Sequence, residues 1–174
     1  MDTIRTLAEL NALLADNDSA DISPQDIRDL MISQMVHAEI GAVDNANITL
    51  GAGFQTVDLD TAGAAKRGTD VDTITHRITS IPVVLKATVH YEIEFKGTAG
   101  GVYEFKIFRN GGPSIVLGTH RRVYVPSADA IIQRSATVTT QLAQDETLEI
   151  AVKSSGNDFE LLSGVLRIER IGVE

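Results

Sequence analysis

Cysteine and tryptophan are both absent from the 174 residues, and only four prolines interrupt the chain. Without thiols there is no disulfide framework and no thiolate metal site, so stability must come from a buried core. One ordinary domain plus an appendage is long enough to build such a core. The missing cysteines leave the compartment open. Basic residues are also in short supply, 15 Lys and Arg against 24 Asp and Glu, giving a net charge of −9. That balance repels phosphate backbones and anionic membranes. The only adjacent basic pairs, Lys66-Arg67 and Arg121-Arg122, read as a loop and a solvated strand face. Long apolar runs are missing as well. No window approaches the ~20 apolar residues of a membrane span, and Asp2 and Glu9 occupy the place where a targeting segment would be basic and then apolar. Neither nucleic acid nor membrane insertion is expected.

Catalytic patterns are equally scarce. His37, His76, His90 and His120 are far apart in sequence, and none sits in an H-x-x-x-H arrangement. There is no G-x-S-x-G elbow; Ser114 and Ser163 read as turn or strand serines. Gly51-Ala52-Gly53 and the Gly97 to Gly101 stretch lack the Lys-Ser/Thr that a phosphate loop requires. The acids alternate along strands or cluster in loops, as solvated faces do, and no spacing pairs two of them across a cleft. The run Ala15 to Asp21 has an acidic rhythm but fails as a calcium loop. Ala20, Asp21 and Ile27 stand where a ligand, a glycine and a glutamate are needed. No catalytic residue, metal or cofactor is expected.

What the chain does contain is two kinds of periodicity. In the first 45 residues, Asp2 or Thr3 can cap a helix in which Ile4, Leu7, Leu10 and Leu14 recur at helical spacing, with Leu13 widening the stripe. A second start follows at Ile22-Ser23-Pro24-Gln25-Asp26. Ser23 is placed to cap, Pro24 occupies the first helical position, and Asp26 lies in the first turn, where the dipole favours an acid. Ile27, Leu30, Met31, Gln34, Met35 and Ala38 then share one face. Two helices of this length are marginal alone. Their seams, Leu7, Leu10 and Leu14 with Ile27, Leu30, Met31 and Met35, are candidate attachment or oligomerisation residues.

From about Ala46 the period becomes two. Leu85, Ala87, Val89, Tyr91, Ile93 and Phe95 share one side of a strand, and Lys86, Glu92, Glu94 and Lys96 the other. After the Gly97 to Gly101 turn, Tyr103, Phe105 and Ile107 alternate with Glu104, Lys106 and Phe108, and Asn110-Gly111-Gly112-Pro113 supplies the next reversal. Further strands are expected at 48–50, 54–59, 74–81, 115–125, 131–142, 147–153 and 161–171. Together they predict an antiparallel sandwich or jelly roll spanning residues 46–174. Most of the five Phe and three Tyr fall on core positions, so a dedicated sugar-stacking site is not evident. Phe54, Phe108 and Tyr124 are the candidates for an exposed recognition surface.

The order Val57-Asp58-Leu59-Asp60, Asp70 to Ile78, the long Leu85 to Phe95 strand and Tyr103 to Gly111 resembles the tumour-necrosis-factor and complement-globular-head jelly roll. Ala143 to Val152 followed by Leu162 to Ile171 looks like the last two strands of that family as they occur in bacteriophage structural proteins. Independently, Leu7-Ala8-Glu9-Leu10 through Asn17 and Ile22 through Asp29 resembles a short N-terminal module of phage fibre, spike and head-appendage proteins. The resemblance implies a homotrimeric structural protein on the outer surface of a virion. In that reading it is a capsid decoration or head-fibre protein held by its front helices to the major capsid protein or another virion protein. The alternative is a tail-fibre or adhesin tip that contacts the host cell surface.

Overall fold

The computed structural model describes residues 37–43, 48–51, 53–63, 70–79, 84–112, 114–155 and 158–172, with residues 12 and 27 as isolated positions. Alternating side chains build a sandwich of two antiparallel sheets. The strands, in chain order, are β1 (His37–Val43), β2 (Ile48–Thr49), β3 (Gln55–Thr56), β4 (Thr61–Ala62), β5 (Asp70–Asp72), β6 (Arg77–Thr79), β7 (Leu85–Gly97), β8 (Val102–Arg109), β9 (Arg121–Tyr124), β10 (Ile132–Leu142), β11 (Leu148–Ser154) and β12 (Asp158–Gly172). One sheet runs β10-β7-β12-β1-β4, with β2 also on β12; the other runs β5-β6-β11-β8-β9, with β3 also on β11. Consecutive strands repeatedly belong to different sheets, as in a jelly roll.

The core lies where the inward faces meet. Ala87, Val89, Tyr91, Ile93 and Phe95 of β7 are fully buried, as are Tyr103, Phe105 and Ile107 of β8. Phe95 is the hub, its ring centre 5.1 Å from those of Tyr103 and Phe105 and 5.2 Å from that of Phe159. Such ring pairs add specificity to the area they bury. The Tyr91 hydroxyl donates to the Thr119 carbonyl at 3.0 Å, and burial makes it a weaker acid, with a pKa well above the ordinary tyrosine range despite the opposing pull of Arg121 and Arg134.

Three expectations change. The second helix and its module were expected to extend through Ala38 and residue 45, but β1 begins at His37 and pairs along its length with β12, Ala38 facing Ile168 and Ile40 facing Leu166. Ala38, Ile40 and Ala42 alternate into the core, so period two wins as soon as β12 supplies a ladder. The sandwich therefore starts nine residues ahead of position 46.

The strand expected from Ile74 starts only at Arg77. Asp72 accepts from the Ile74 and Thr75 amides and the Thr75 hydroxyl, which closes a turn and leaves Ile74 exposed. These bonds also hold the Asp72 carboxyl below its usual range. The strand expected from Ile115 likewise starts only at Arg121, with Leu117 exposed in the preceding turn. Of the front seams, only Ile27 lies among the described residues; it is helical and 50% exposed, as Ala12 is helical and exposed. Leu7, Leu10, Leu14, Leu30, Met31 and Met35 lie outside them.

Candidate functional site

The outward face of the β11-β8-β9 sheet collects the residues proposed for recognition. Because β3 joins the edge of β11 at Ala151 and Val152, the preceding Phe54 comes to lie beside Phe108 of β8. The two rings meet edge to face at 5.3 Å, and each is half-buried instead of free. Lys106 and Lys153 stand over the Phe54 ring at 4.6 Å and 5.1 Å, an arrangement that pairs each ammonium with the electron-rich face. Tyr124, in contrast, is 60% exposed at the end of β9. The structure thus joins Phe54 to Phe108 and leaves Tyr124 at the far side of the same sheet.

Beneath the aromatic pair is a buried acid that the alternation reading placed in solvent. Glu149 points to the outward face of β11 yet is only 2% exposed. It is held by a short contact from Arg77 Nε and by the Thr56 hydroxyl at 3.3 Å. A carboxylate taken from water needs such partners. The sequence signal was Arg77 and Glu149, 72 residues apart, and only the β6-β11 pairing brings them together.

The strand register arranges the rest of this face in two rows. Lys153 of β11, Glu104 of β8 and Arg122 of β9 are direct neighbours across the ladders, and Val102 faces Tyr124 in the next row. Ser155 completes that second row: its amide donates to the Val102 carbonyl and its hydroxyl accepts from the Val102 amide, both at 3.1 Å. Between the rows is a groove of about 320 Å3 lined by Val102, Glu104, Arg122, Lys153, Ser154 and Ser155. Glu104 accepts from His120 at 3.2 Å and lies 3.6 Å from Lys153. Partial burial alone would raise its carboxyl, but Lys153 and His120 outweigh that and hold it below the usual glutamate value. Of the Arg121-Arg122 pair, Arg121 turns to the Ser135, Gly118 and His120 carbonyls. Arg122 alone faces the groove.

The outward face of the other sheet is a lattice of polar pairs. Arg167 Nε donates to Glu39 at 2.6 Å, His90 Nδ1 and the Thr137 hydroxyl are 2.7 Å apart, and Gln133 donates to Glu92. Glu169 lies 3.8 Å from Arg167 and 4.0 Å from His37. Each histidine faces its own carboxylate, with His76 near Asp58 at 3.3 Å and His120 near Glu104. Among the described residues, no three His, Asp or Glu side chains converge as a metal site, and no helix is long and apolar enough to cross a membrane.

No protein-family model matches this sequence, and no curated protein matches it either. Solved structures do. The Eiger tumour necrosis factor of S. frugiperda superposes with a TM-score of 0.59 at 12% identity, over 81% of this chain and 96% of that one. The globular domain of zebrafish complement 1qA gives 0.59 at 12% identity, over 80% and 99%. Murine APRIL gives 0.53 at 10% identity, over 76% and 98%. At such identities the likeness establishes architecture alone. The described β-sandwich has the jelly-roll fold of tumour necrosis factor and complement globular heads.

Proposed function

We propose that this chain is a non-enzymatic structural protein of a bacteriophage virion, a homotrimer displayed on the outer surface as a capsid decoration or head fibre. The observation that carries the subunit association is the self-paired polar face of the β10-β7-β12-β1 sheet. Glu39 with Arg167, His90 with Thr137, and Glu92 with Gln133 already satisfy one another within one subunit. Burying that face between copies therefore strands few unpaired charges. Ile171, 54% exposed at the end of β12, adds apolar area at its margin. Three-fold closure would bring three front segments together directly ahead of β1. Ile27 is half exposed on a single chain, as a seam residue awaiting a partner would be. Resemblance of the Leu7 to Asp29 stretch to phage appendage modules is what supports the virion location.

The test is sedimentation of the full chain, then its incubation with capsids lacking it and separately with tails. The proposal expects a trimer at micromolar concentration that is retained by capsids. It also expects that replacing Ile27, Met31 and Met35 together by glutamate abolishes retention without unfolding the sandwich. A stable monomer would overturn the trimer. Retention by tails or host cells, unaffected by the triple substitution, would move the role to a receptor-binding tip. Any shortened chain must keep His37–Val43, because β1 lies between β12 and β4.

A further inference from the structure

We infer that the groove on the outward face of β9, β8 and β11 is a binding site for a saccharide that carries a carboxylate. The inference depends on neither the virion location nor the subunit number, since it concerns the sheet opposite the self-paired face.

Arg122 supplies the anchor. It is exposed and has no hydrogen-bond or ion-pair partner among the described residues, although Glu104 lies directly across the ladder. Glu104 is already committed to His120 and Lys153. The guanidinium fork is therefore open to solvent in the geometry that takes a carboxylate through two parallel N–H bonds. Lys153 lies in the same row beyond Glu104, His120 contacts Glu104, and Lys106 follows further along β8 beside Phe54. The acids described nearby are Glu104, so engaged, and Glu149, buried against Arg77. A chain of net charge −9 thus presents a local positive field on this one face.

Tyr124, outside the groove's lining but paired across the ladder with Val102, supplies a platform at its margin. Its ring stands in the row of Val102, 60% exposed, so the apolar face of a sugar ring can lie on Tyr124 and Val102. At the opposite end, the Ser155 hydroxyl accepts from the Val102 amide and retains its own proton to donate to a sugar oxygen. An anion fork, an exposed ring and a hydroxyl in adjacent rows suit an acidic sugar better than an acidic peptide, which would leave the ring and the hydroxyl unused. The groove volume of about 320 Å3 lies at the lower end of the roughly 300–1,000 Å3 of small-ligand sites, enough for a terminal residue.

The test is titration of the full chain, by calorimetry and by saturation-transfer NMR, with N-acetylneuraminic acid, methyl glucuronide, neutral N-acetylglucosamine and hexaglutamate. The expected result is binding of at least one acidic sugar and not of the neutral one, weakened roughly tenfold or more by Arg122→Gln and by Tyr124→Ala. Lys86→Gln, on the opposite sheet, should change nothing, and all three variants should keep the parent unfolding midpoint. Comparing the two acidic sugars separates a sialic from a uronic ligand. Equal binding of the neutral sugar, binding of hexaglutamate alone, or retention of acidic-sugar binding by both groove variants would overturn the inference; so would no binding of either acidic sugar.

Discussion

Arg109, on β8, reaches Glu146 with Nη1 at 3.1 Å, while its Nη2 donates to the Thr140 hydroxyl at 2.8 Å. The first contact closes the β10–β11 turn and the second crosses to β10, so one guanidinium ties the two sheets together at this end. Glu146 is 5% exposed and also accepts from the Ala143 amide at 2.9 Å. Breaking a buried pair leaves the remaining charge without its counterpart. Arg109→Ala should therefore destabilise by about 3 kcal/mol in urea unfolding. The double variant Arg109→Met, Glu146→Leu should be milder than the sum of the single changes, because it removes both charges at once.

Glu149 gives a second, independent pair. Glu149→Ala leaves Arg77 partly buried without its hydrogen-bonded carboxylate, with an expected loss of about 3 kcal/mol. Thr56→Ala, which removes one hydroxyl donor, should lose only about 1 kcal/mol. A double-mutant cycle between Arg77 and Glu149 checks the assignment. A coupling energy near zero would show that the contact contributes no stability.

Glu104 predicts a pH dependence with a definite sign. Its folded carboxyl lies below the ordinary value of 4.5, because Lys153 and His120 outweigh the effect of burial. A depressed folded value means that the stabilisation is complete well above the unfolded value and is lost as pH falls through the folded one. Wild type should therefore exceed Glu104→Gln in stability at pH 7, with the gap closing in progressively stronger acid. Denaturant titrations of both proteins from pH 7 downward measure it.

The turn between β7 and β8 predicts a steric effect. A methyl group on Gly97 would lie 2.5 Å from the Tyr103 ring, whose hydroxyl accepts from the Thr98 amide at 2.8 Å and donates to the Asp158 carbonyl. Gly97→Ala should destabilise by about 1–3 kcal/mol, the cost of overpacking. Gly100→Ala, with open space around it but φ of +80°, should cost about 1 kcal/mol from backbone conformation alone. Thermal unfolding of the two variants separates crowding from strain.

The sequence by itself determined the alternation of β7, β8, β10, β11 and β12, and with it the inward face and the jelly-roll class. In β7, β8 and β11 every second residue is apolar, and that local signal needs no partner to be read; in β10 it is interrupted by Arg134 and Thr140, and in β12 it changes parity at the shift between Leu161 and Ser163. Phe95, Tyr103 and Phe105 were legible as core for the same reason. Only the tertiary structure decided that His37–Val43 is a strand, because Ala38 and Ala42 suit a helix as well as a strand until β12, more than 120 residues away, offers its ladder. Strands of two or three residues, such as β4 and β5, carry too few alternations to announce themselves. The groove had the same origin. Arg122, Glu104 and Lys153 are unremarkable surface residues in the chain, and they became neighbours through the β9-β8-β11 register, a property of pairing between strands that no single segment encodes.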